Sequence, residues 1–150
     1  MAVALNPNHA PGHAQSGTCW LLRGRPREAL LYYDRAFRLS PRDPLRALWH
    51  AGAGRAYVLL GDDLKALEEG KRSAAANPKL PWAFALQASA LALLGREAEA
   101  RAAMAVLQQL LPGFTITRSK GHPNESTGNP EFKRLMERYY DGLRKAGLPE

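Results

Sequence analysis

Two kinds of helix-ending residue recur along this chain of 150 residues at nearly constant spacing. The first kind is a series of four prolines, Pro7, Pro41, Pro78 and Pro112. The intervals between these prolines are 34, 37 and 34 residues. The second kind is a series of three glycines, Gly24, Gly61 and Gly95, which are separated by 37 and 34 residues. Because both series keep one register, the chain repeats a unit that predicts stacked pairs of helices.

Each of these glycines follows an apolar run and precedes a charged stretch, as in "VLLGDDLKAL". Glycine readily adopts the left-handed conformation that ends a helix, and proline prevents a helix from continuing. Alanine and leucine dominate the composition while β-branched residues are scarce, which favours helix over strand. We therefore predict helices near residues 10–23, 26–39, 44–60, 63–76, 80–94 and 97–110, and one more after residue 129.

The repeated unit resembles the tetratricopeptide repeat (TPR) family, because small, aromatic and alanine residues recur at the positions that this family requires. The first unit supplies Gly17, Trp20, Gly24, Ala29, Tyr33, Ala36, Leu39 and Pro41. The second supplies Gly54, Tyr57, Gly61, Ala66 and Pro78, and the third supplies Ala88, Leu91, Gly95, Ala100, Met104, Leu110 and Pro112. The resemblance implies an all-α fold, a right-handed α–α superhelix of about three helix pairs with a C-terminal capping helix.

The expected boundaries of the repeats are 8–41, 42–78 and 79–112, and residues 1–7 are expected to end a preceding repeat. On this basis we expect the chain to be a fragment of a longer protein. Residues 113–129 carry no hydrophobic period and are predicted to form a loop, which precedes a capping helix and tail at 130–150. That last helix has an apolar stripe that would cover the end of the solenoid: Phe132, Leu135, Met136, Tyr139, Tyr140 and Leu143.

The second repeat departs from the family pattern in two respects. Gly70 and Ser73 stand where an aromatic residue and an alanine are expected, so we expect the second helix of this repeat to pack loosely. The repeat is also longer, and we predict that Asp43 caps its first helix with Pro44 at the first helical position.

In TPR arrays the first helix of each pair lines a concave groove that can hold an extended peptide or a partner helix. Seven residues are predicted on this surface from the repeat register: Gln15, Thr18, Leu22, Leu48, Arg55, Trp82 and Ser89. Trp82 and Arg55 are residue types that often dominate the energy of an interface. An alternative for Trp82 is packing against Pro81 or the capping helix.

Some TPR domains use lysine and asparagine in this groove to hold the C-terminal carboxylate of chaperones. The matching positions here are Ala14, Thr18, Gly52, Trp82 and Leu86. This set cannot clamp a carboxylate, so docking of that kind is not expected.

A narrower resemblance involves the stretch "SPRDP" and the tail "YYDGLRKAGLPE". They resemble the C-terminal TPR region of bacterial proteins that begin with a class III adenylate/guanylate cyclase domain. This resemblance implies a regulatory or scaffolding module for protein–protein contacts in signal transduction, with a protein, a peptide or a neighbouring domain of the same chain as partner. Related TPR regions follow winged-helix domains in transcription regulators, which remains an alternative.

The sequence indicates no enzyme, because it lacks a nucleophile–base pair, a metal-ligand cluster and a cofactor loop. His9 and His13 are four residues apart, but Pro11 and Gly12 separate them and no further ligand lies nearby, so no metal or cofactor is expected. Cys19 is expected to be a buried thiol. A single cysteine and the absence of a long apolar run favour a cytoplasmic protein that does not contact a membrane.

The net charge of +7 is concentrated near the N-terminus, where residues 1–61 contain eight basic and three acidic side chains. The basic side chains are Arg23, Arg25, Arg27, Arg35, Arg38, Arg42, Arg46 and Arg55. Nucleic-acid binding is thus an alternative function, although a solvated surface explains the arginines better. We also predict that the isolated chain forms a homodimer through its exposed N-terminal face.

Overall fold

The structure, a computed structural model, describes residues 8–150 apart from the side chain of Asn124. The predicted end of a preceding repeat at 1–7, including Pro7, lies outside the described residues. Six helices form three antiparallel pairs: α1 (Ala10–Leu22) with α2 (Pro26–Leu39), α3 (Arg46–Leu60) with α4 (Asp63–Ala76), and α5 (Pro81–Leu93) with α6 (Glu97–Leu110). Three helices follow, α7 (Ile116–Lys120), α8 (Pro123–Ser126) and α9 (Pro130–Lys145).

The turn within each pair contains one of the three spaced glycines in the left-handed conformation. The φ angles are 72° at Gly24, 83° at Gly61 and 78° at Gly95, so their predicted role in ending the first helix of each pair is confirmed. No helix in residues 8–150 is long and apolar enough to cross a membrane.

Tyr33 shows how small residues allow the helices to approach. Its side chain is 3% exposed and lies against two glycines on neighbouring helices. A Cβ atom added to Gly17 on α1 would lie 3.1 Å from Tyr33 Cε2, and one added to Gly52 on α3 would lie 2.4 Å from Tyr33 Oη. The ring therefore fills a space that a larger residue at either position would remove.

The second repeat begins differently from our prediction. Helix α3 begins at Arg46, and the residue at its N-cap is Leu45. The carboxylate of Asp43 accepts a hydrogen bond from Leu45 N at 2.9 Å, and Asp43 O accepts one from Arg46 N at 3.0 Å. Asp43 thus stabilises the turn that precedes the helix, and Pro44 lies in that turn.

The expectation of loose packing at Gly70 and Ser73 is wrong. Ser73 is fully buried, and its Oγ donates a hydrogen bond to Ala47 O on α3 at 2.7 Å. Gly70 lies close to α5, where Gln87 Nε2 donates to Gly70 O at 3.1 Å. A Cβ atom added to Gly70 would lie 2.7 Å from Gln87 Cγ, so α4 packs closely against α5 at this position.

The C-terminal residues fold back onto the repeats. Residues 113–129, where a loop is expected, contain the short helices α7 and α8. Helix α9 packs mainly against α5 and next against α3, so it crosses the concave side of the first helices. It begins beside the end of α1, where Asn129 N donates to Leu22 O at 2.9 Å, and it reaches α5 where Gly142 meets Ser89.

The apolar stripe of α9 faces the repeats. Its buried members are Phe132, Met136, Tyr139, Tyr140 and Leu143, and Leu135 is half-buried. Arg138 adds a charged contact, because its guanidinium donates to Asp63 Oδ1 at 2.5 Å and to Asp63 Oδ2 at 2.7 Å. Burial of the stripe and this ion pair together attach α9 to the solenoid.

Candidate functional site

The concave side contains a cavity of about 240 Å³ between the repeats and the C-terminal residues. Its repeat wall includes Thr18, Tyr33, Leu48, Arg55, Trp82 and Leu86. Its other wall consists of Ser119, His122, Glu125 and Tyr139. The cavity is thus enclosed in part by side chains of this chain that follow the last repeat.

Four of the seven residues predicted on the concave surface line this cavity, namely Thr18, Leu48, Arg55 and Trp82. Leu48 is 48% exposed, so its apolar side chain is accessible from solvent. The remaining three residues, Gln15, Leu22 and Ser89, lie outside the cavity lining.

Gln15 is exposed outside the cavity, and Leu22 is half-buried at the end of α1, where its carbonyl accepts the hydrogen bond from Asn129. Ser89 is fully buried, and its Oγ donates to Tyr139 O at 2.8 Å. Helix α9 covers Ser89, so this residue cannot contact a partner in this structure, which corrects that part of the prediction.

A buried ion pair joins the two walls of the cavity. Arg55 Nη1 donates to Glu125 Oε1, and the two side chains are only 19% and 10% exposed. Tyr140 Oη donates to the other carboxylate oxygen of Glu125 at 3.1 Å. Glu125 lies in a stretch without hydrophobic period, so sequence patterns gave no signal for its role.

Arg55 keeps its positive charge in this setting. Burial lowers the pKa of Arg55, but the carboxylate of Glu125 together with the phenols of Tyr33, Tyr139 and Tyr140 outweighs burial and raises this pKa above its ordinary value. The guanidinium also lies over the Phe132 ring, 5.9 Å from its centroid. The site therefore presents one permanent cation, which is already paired with an anion.

Two hydroxyl groups form the polar end of the repeat wall. The Oγ1 atom of Thr18 and the Oη atom of Tyr33 are 2.8 Å apart and share a hydrogen bond. Burial raises the pKa of Tyr33, so the phenol remains neutral at ordinary pH. This pair can offer a donor or an acceptor to a group in the cavity.

Trp82 packs against the segment between α6 and α9. Its ring meets Phe114 at 5.6 Å between centroids and His122 at 5.8 Å, and both contacts are edge-to-face. These ring contacts come from the segment that follows α6. They come neither from Pro81 nor from α9, which are the contacts that the sequence suggested as an alternative for Trp82. Trp82 is half-buried and borders the cavity.

The positions that correspond to the chaperone-binding pattern carry no cation. Ala14 is buried outside the cavity, and the other four positions, Thr18, Gly52, Trp82 and Leu86, line it. The lining residues supply a single arginine, Arg55, and Glu125 already occupies it.

Other candidates from the sequence do not form a site. Residues 8–150 contain no group of three or more histidine, cysteine or acidic side chains that could hold a metal ion. His13 is buried and stacks on Tyr32 with 6.2 Å between ring centroids, which agrees with a packing role. Cys19 is exposed, so the expectation of a buried thiol is wrong.

Several N-terminal arginines are engaged in contacts within the chain. The guanidinium groups of Arg23 and Arg25 lie 5.2 and 5.8 Å from the centroid of the Trp20 ring, and Arg35 lies 5.0 Å from that of Tyr32. These contacts occupy the aromatic faces on which a nucleic-acid base would stack.

Comparisons with known proteins identify the fold. No protein-family model matches the sequence. No curated protein matches it either. Among solved structures, MamA is similar with a TM-score of 0.69 and 17% identity, covering 95% of this chain and 85% of that one. The TPR domain of Arabidopsis OM64 gives a TM-score of 0.66 with 17% identity and covers 88% of this chain and 94% of its own.

A third similar structure is the first TPR of Spaghetti (RPAP3) bound to an HSP90 peptide. Its TM-score is 0.65 with 18% identity, and the match covers 90% of this chain and 93% of that one. The three matches extend over most of both chains, and residues 8–150 contain no strand. The chain therefore has the all-helical fold of TPR domains, a right-handed superhelix of helix pairs.

Proposed function

We propose that this chain is a non-catalytic module for protein–protein interaction that binds its partner in the concave groove. The observation that supports the proposal is the convergence of Thr18, Leu48, Arg55 and Trp82 on one cavity of about 240 Å³. The repeat register predicts all four on the concave surface, and they combine apolar, aromatic and charged side chains. That combination is typical of the centres of protein interfaces.

The groove suits an extended peptide or a partner helix. Leu48 and the exposed part of Trp82 offer apolar contact, and the hydroxyl groups of Thr18 and Tyr33 offer hydrogen bonds beside it. A similar TPR domain was solved with an HSP90 peptide, which supports peptides as a ligand class for the fold. The chaperone-type carboxylate clamp is not proposed, because Ala14 and Gly52 occupy two of its positions.

For the biological setting, we propose the C-terminal regulatory part of a larger bacterial signalling protein of the adenylate/guanylate cyclase type. The stretch "SPRDP" and the tail "YYDGLRKAGLPE" support this setting. The partner is then a neighbouring domain of the parent chain or a separate protein in the cytoplasm. Reading the complete open reading frame tests the setting. A cyclase domain before the repeats is expected, and a winged-helix domain there would favour a transcription regulator.

Nucleic acid is not the proposed partner, because the arginines nearest to the exposed aromatic rings already contact those rings or acidic neighbours. Arg25 donates to Glu28 at 2.9 Å, and Arg38 lies 2.9 Å from Asp34. A gel-shift assay at low salt with DNA and RNA tests this exclusion. A shift that disappears when Arg23, Arg25 and Arg27 are changed to glutamate would reverse it.

A matched pair of variants tests the groove itself. Leu48→Asp places a charge in the cavity wall, while Leu31→Asp places one on α2 at a side chain that is 60% exposed outside the cavity. Partners crosslinked to the wild type are expected to bind Leu48→Asp at least about tenfold more weakly and to bind Leu31→Asp unchanged. Equal capture by both variants would contradict the proposal.

A further inference from the structure

Residues 116–126, which we call the strap, lie along the open side of the cavity. The strap is attached at its start by two backbone hydrogen bonds to the C-terminus, from Ile116 N to Pro149 O at 2.9 Å and from Thr117 N to Glu150 O at 2.8 Å. Beyond its end, Asn129 N donates to Leu22 O at 2.9 Å. The strap is therefore tethered on both sides and can leave the cavity without releasing α9.

Side chains hold the middle of the strap in place. Glu125 binds Arg55 and Tyr140, and the His122 ring meets Trp82. Ile116 and Ser119 are also buried, and Lys120 pairs with Glu137 on α9 at 2.7 Å. Helix α8, at the end of the strap, contains only four residues, too few to be stable as an isolated helix. The end of the strap thus meets the repeat wall through Glu125 on Arg55 and His122 on Trp82, and Glu125 supplies the charged contact.

The ion pair between Arg55 and Glu125 limits which ligands can replace the strap in the cavity. Arg55 is 19% exposed and its charge is satisfied by Glu125, so removing Glu125 alone would leave a nearly buried cation without an anion. Opening is therefore unfavourable unless the incoming group brings its own negative charge. An apolar or basic ligand could fill the cavity volume, but it could not satisfy Arg55.

We propose that the strap is an internal ligand of the groove, and that the external partner is an acidic segment whose Glu or Asp carboxylate replaces Glu125 on Arg55. This inference rests on the proposed function, since it names the partner chemistry and the regulation of the same site. The partner binds only molecules whose strap is open, so its apparent affinity falls in proportion to the open fraction.

The test uses the full chain in four forms, studied by NMR titration of the indole signals. They are the wild type, Glu125→Gln, a variant with residues 121–127 replaced by a glycine–serine linker of equal length, and the control Glu131→Gln. Glu131 also pairs with an arginine, Arg134, but its side chain is 48% exposed and it lies outside the cavity. The linker variant removes the contacts of both His122 and Glu125 with the groove even if Glu125→Gln leaves the strap in place.

Two probes are added to each form: the peptide of residues 116–126, and the same peptide with glutamine at the position of Glu125. The first peptide is expected to bind the linker variant and Glu125→Gln at least about tenfold more tightly than the wild type or Glu131→Gln. The glutamine peptide is expected to bind the linker variant at least about tenfold more weakly than the first peptide.

Three results would overturn the proposal. They are equal affinity of the two peptides, no binding of either peptide to the linker variant, and a dimer of the linker variant that excludes the peptides, which would assign the groove to a second copy. These results are separable from failure of the proposed function. Partner capture that depends on Leu48 but not on the strap would keep the function and reject the internal ligand.

Discussion

The repeats at 8–112 and the C-terminal part at 113–150 are held together in different ways. Within the repeats, small residues at register positions let large side chains pack closely, as Gly17 does for Tyr33. The C-terminal part is attached by an apolar stripe and by charged pairs that reach across the molecule, from Arg138 to Asp63 and from Glu125 to Arg55. The first kind of contact is specified locally, and the second depends on a distant partner. The C-terminal part therefore binds the repeats much as a ligand would.

The largest effect is expected inside the repeats. Tyr33→Ala removes a buried ring that contacts Gly17 and Gly52, and neither glycine can fill the space. We expect the free energy of unfolding to fall by about 3–5 kcal/mol, measured by urea denaturation. The control Tyr57→Ala removes a half-buried ring and should lower it much less. Similar losses for both variants would contradict the central position of Tyr33.

An intermediate effect is expected where α9 crosses α5. In Gly142→Ala the new Cβ would lie 2.3 Å from Ser89 Oγ and 2.7 Å from Ser89 O, so α9 must shift. We expect a loss of about 1–3 kcal/mol, with faster hydrogen exchange in α9 than in α1–α4.

Gly121→Ala is the matched control for this change, because its new Cβ would come no nearer than 3.5 Å to another atom and its φ of −81° suits alanine. If hydrogen exchange in Gly142→Ala increased equally in all helices, the C-terminal part and the repeats would be a single unit of stability, which would contradict the comparison.

The third effect is a loss of stability at alkaline pH that originates in α9. Burial raises the pKa of Tyr139, and burial together with Glu125 raises the pKa of Tyr140, above the ordinary value of 10.0. The folded state therefore holds these protons more tightly than the unfolded state. Stability is retained below about pH 10 and falls above it, by up to about 1.4 kcal/mol per pH unit for each tyrosine.

Urea denaturation of the wild type between pH 8 and pH 11 measures this slope, and the double change Tyr139→Phe and Tyr140→Phe should flatten it. Burial also raises the pKa of Tyr33 in the repeats, so part of the slope should remain. An unchanged slope in the double variant would assign the alkaline loss to the repeats alone.

The smallest effects are expected at exposed ion pairs, whichever region contains them. Glu99 pairs with Arg96 at 2.7 Å on α6, and Glu137 pairs with Lys120 at 2.7 Å in the C-terminal part. Both pairs face solvent, so Glu99→Gln and Glu137→Gln should shift the urea midpoint little, and less still at high salt. A large shift for Glu137→Gln alone would mean that surface charge also attaches the strap.

The helix pairs, the left-handed glycines and four of the groove residues could be predicted because they depend on a period that the sequence itself displays. Ser89 was misplaced because its cover is supplied by Tyr139, fifty residues later in the chain. Glu125 was missed because an isolated carboxylate in an aperiodic stretch gives no local sign of a buried arginine partner. Contacts between residues this far apart in the sequence form only when the chain has folded, so the residues next to each of them in the sequence do not predict them.

The hydrogen bonds between Asn129 and the end of α1 have a consequence for how the molecule comes apart. In an open array each repeat touches only its neighbours, so terminal repeats fray and unfolding can proceed unit by unit. Here Asn129 N and Nδ2 hold Leu22 O and Arg23 O, each at 2.9 Å, and α9 then continues to α5. The first and third repeats are thus linked to each other through α9, in addition to their contacts with the second repeat. Separation of the end of α1 or of α5 from the rest of the array requires breaking contacts with α9, so we expect the first and third repeats to unfold in one cooperative step.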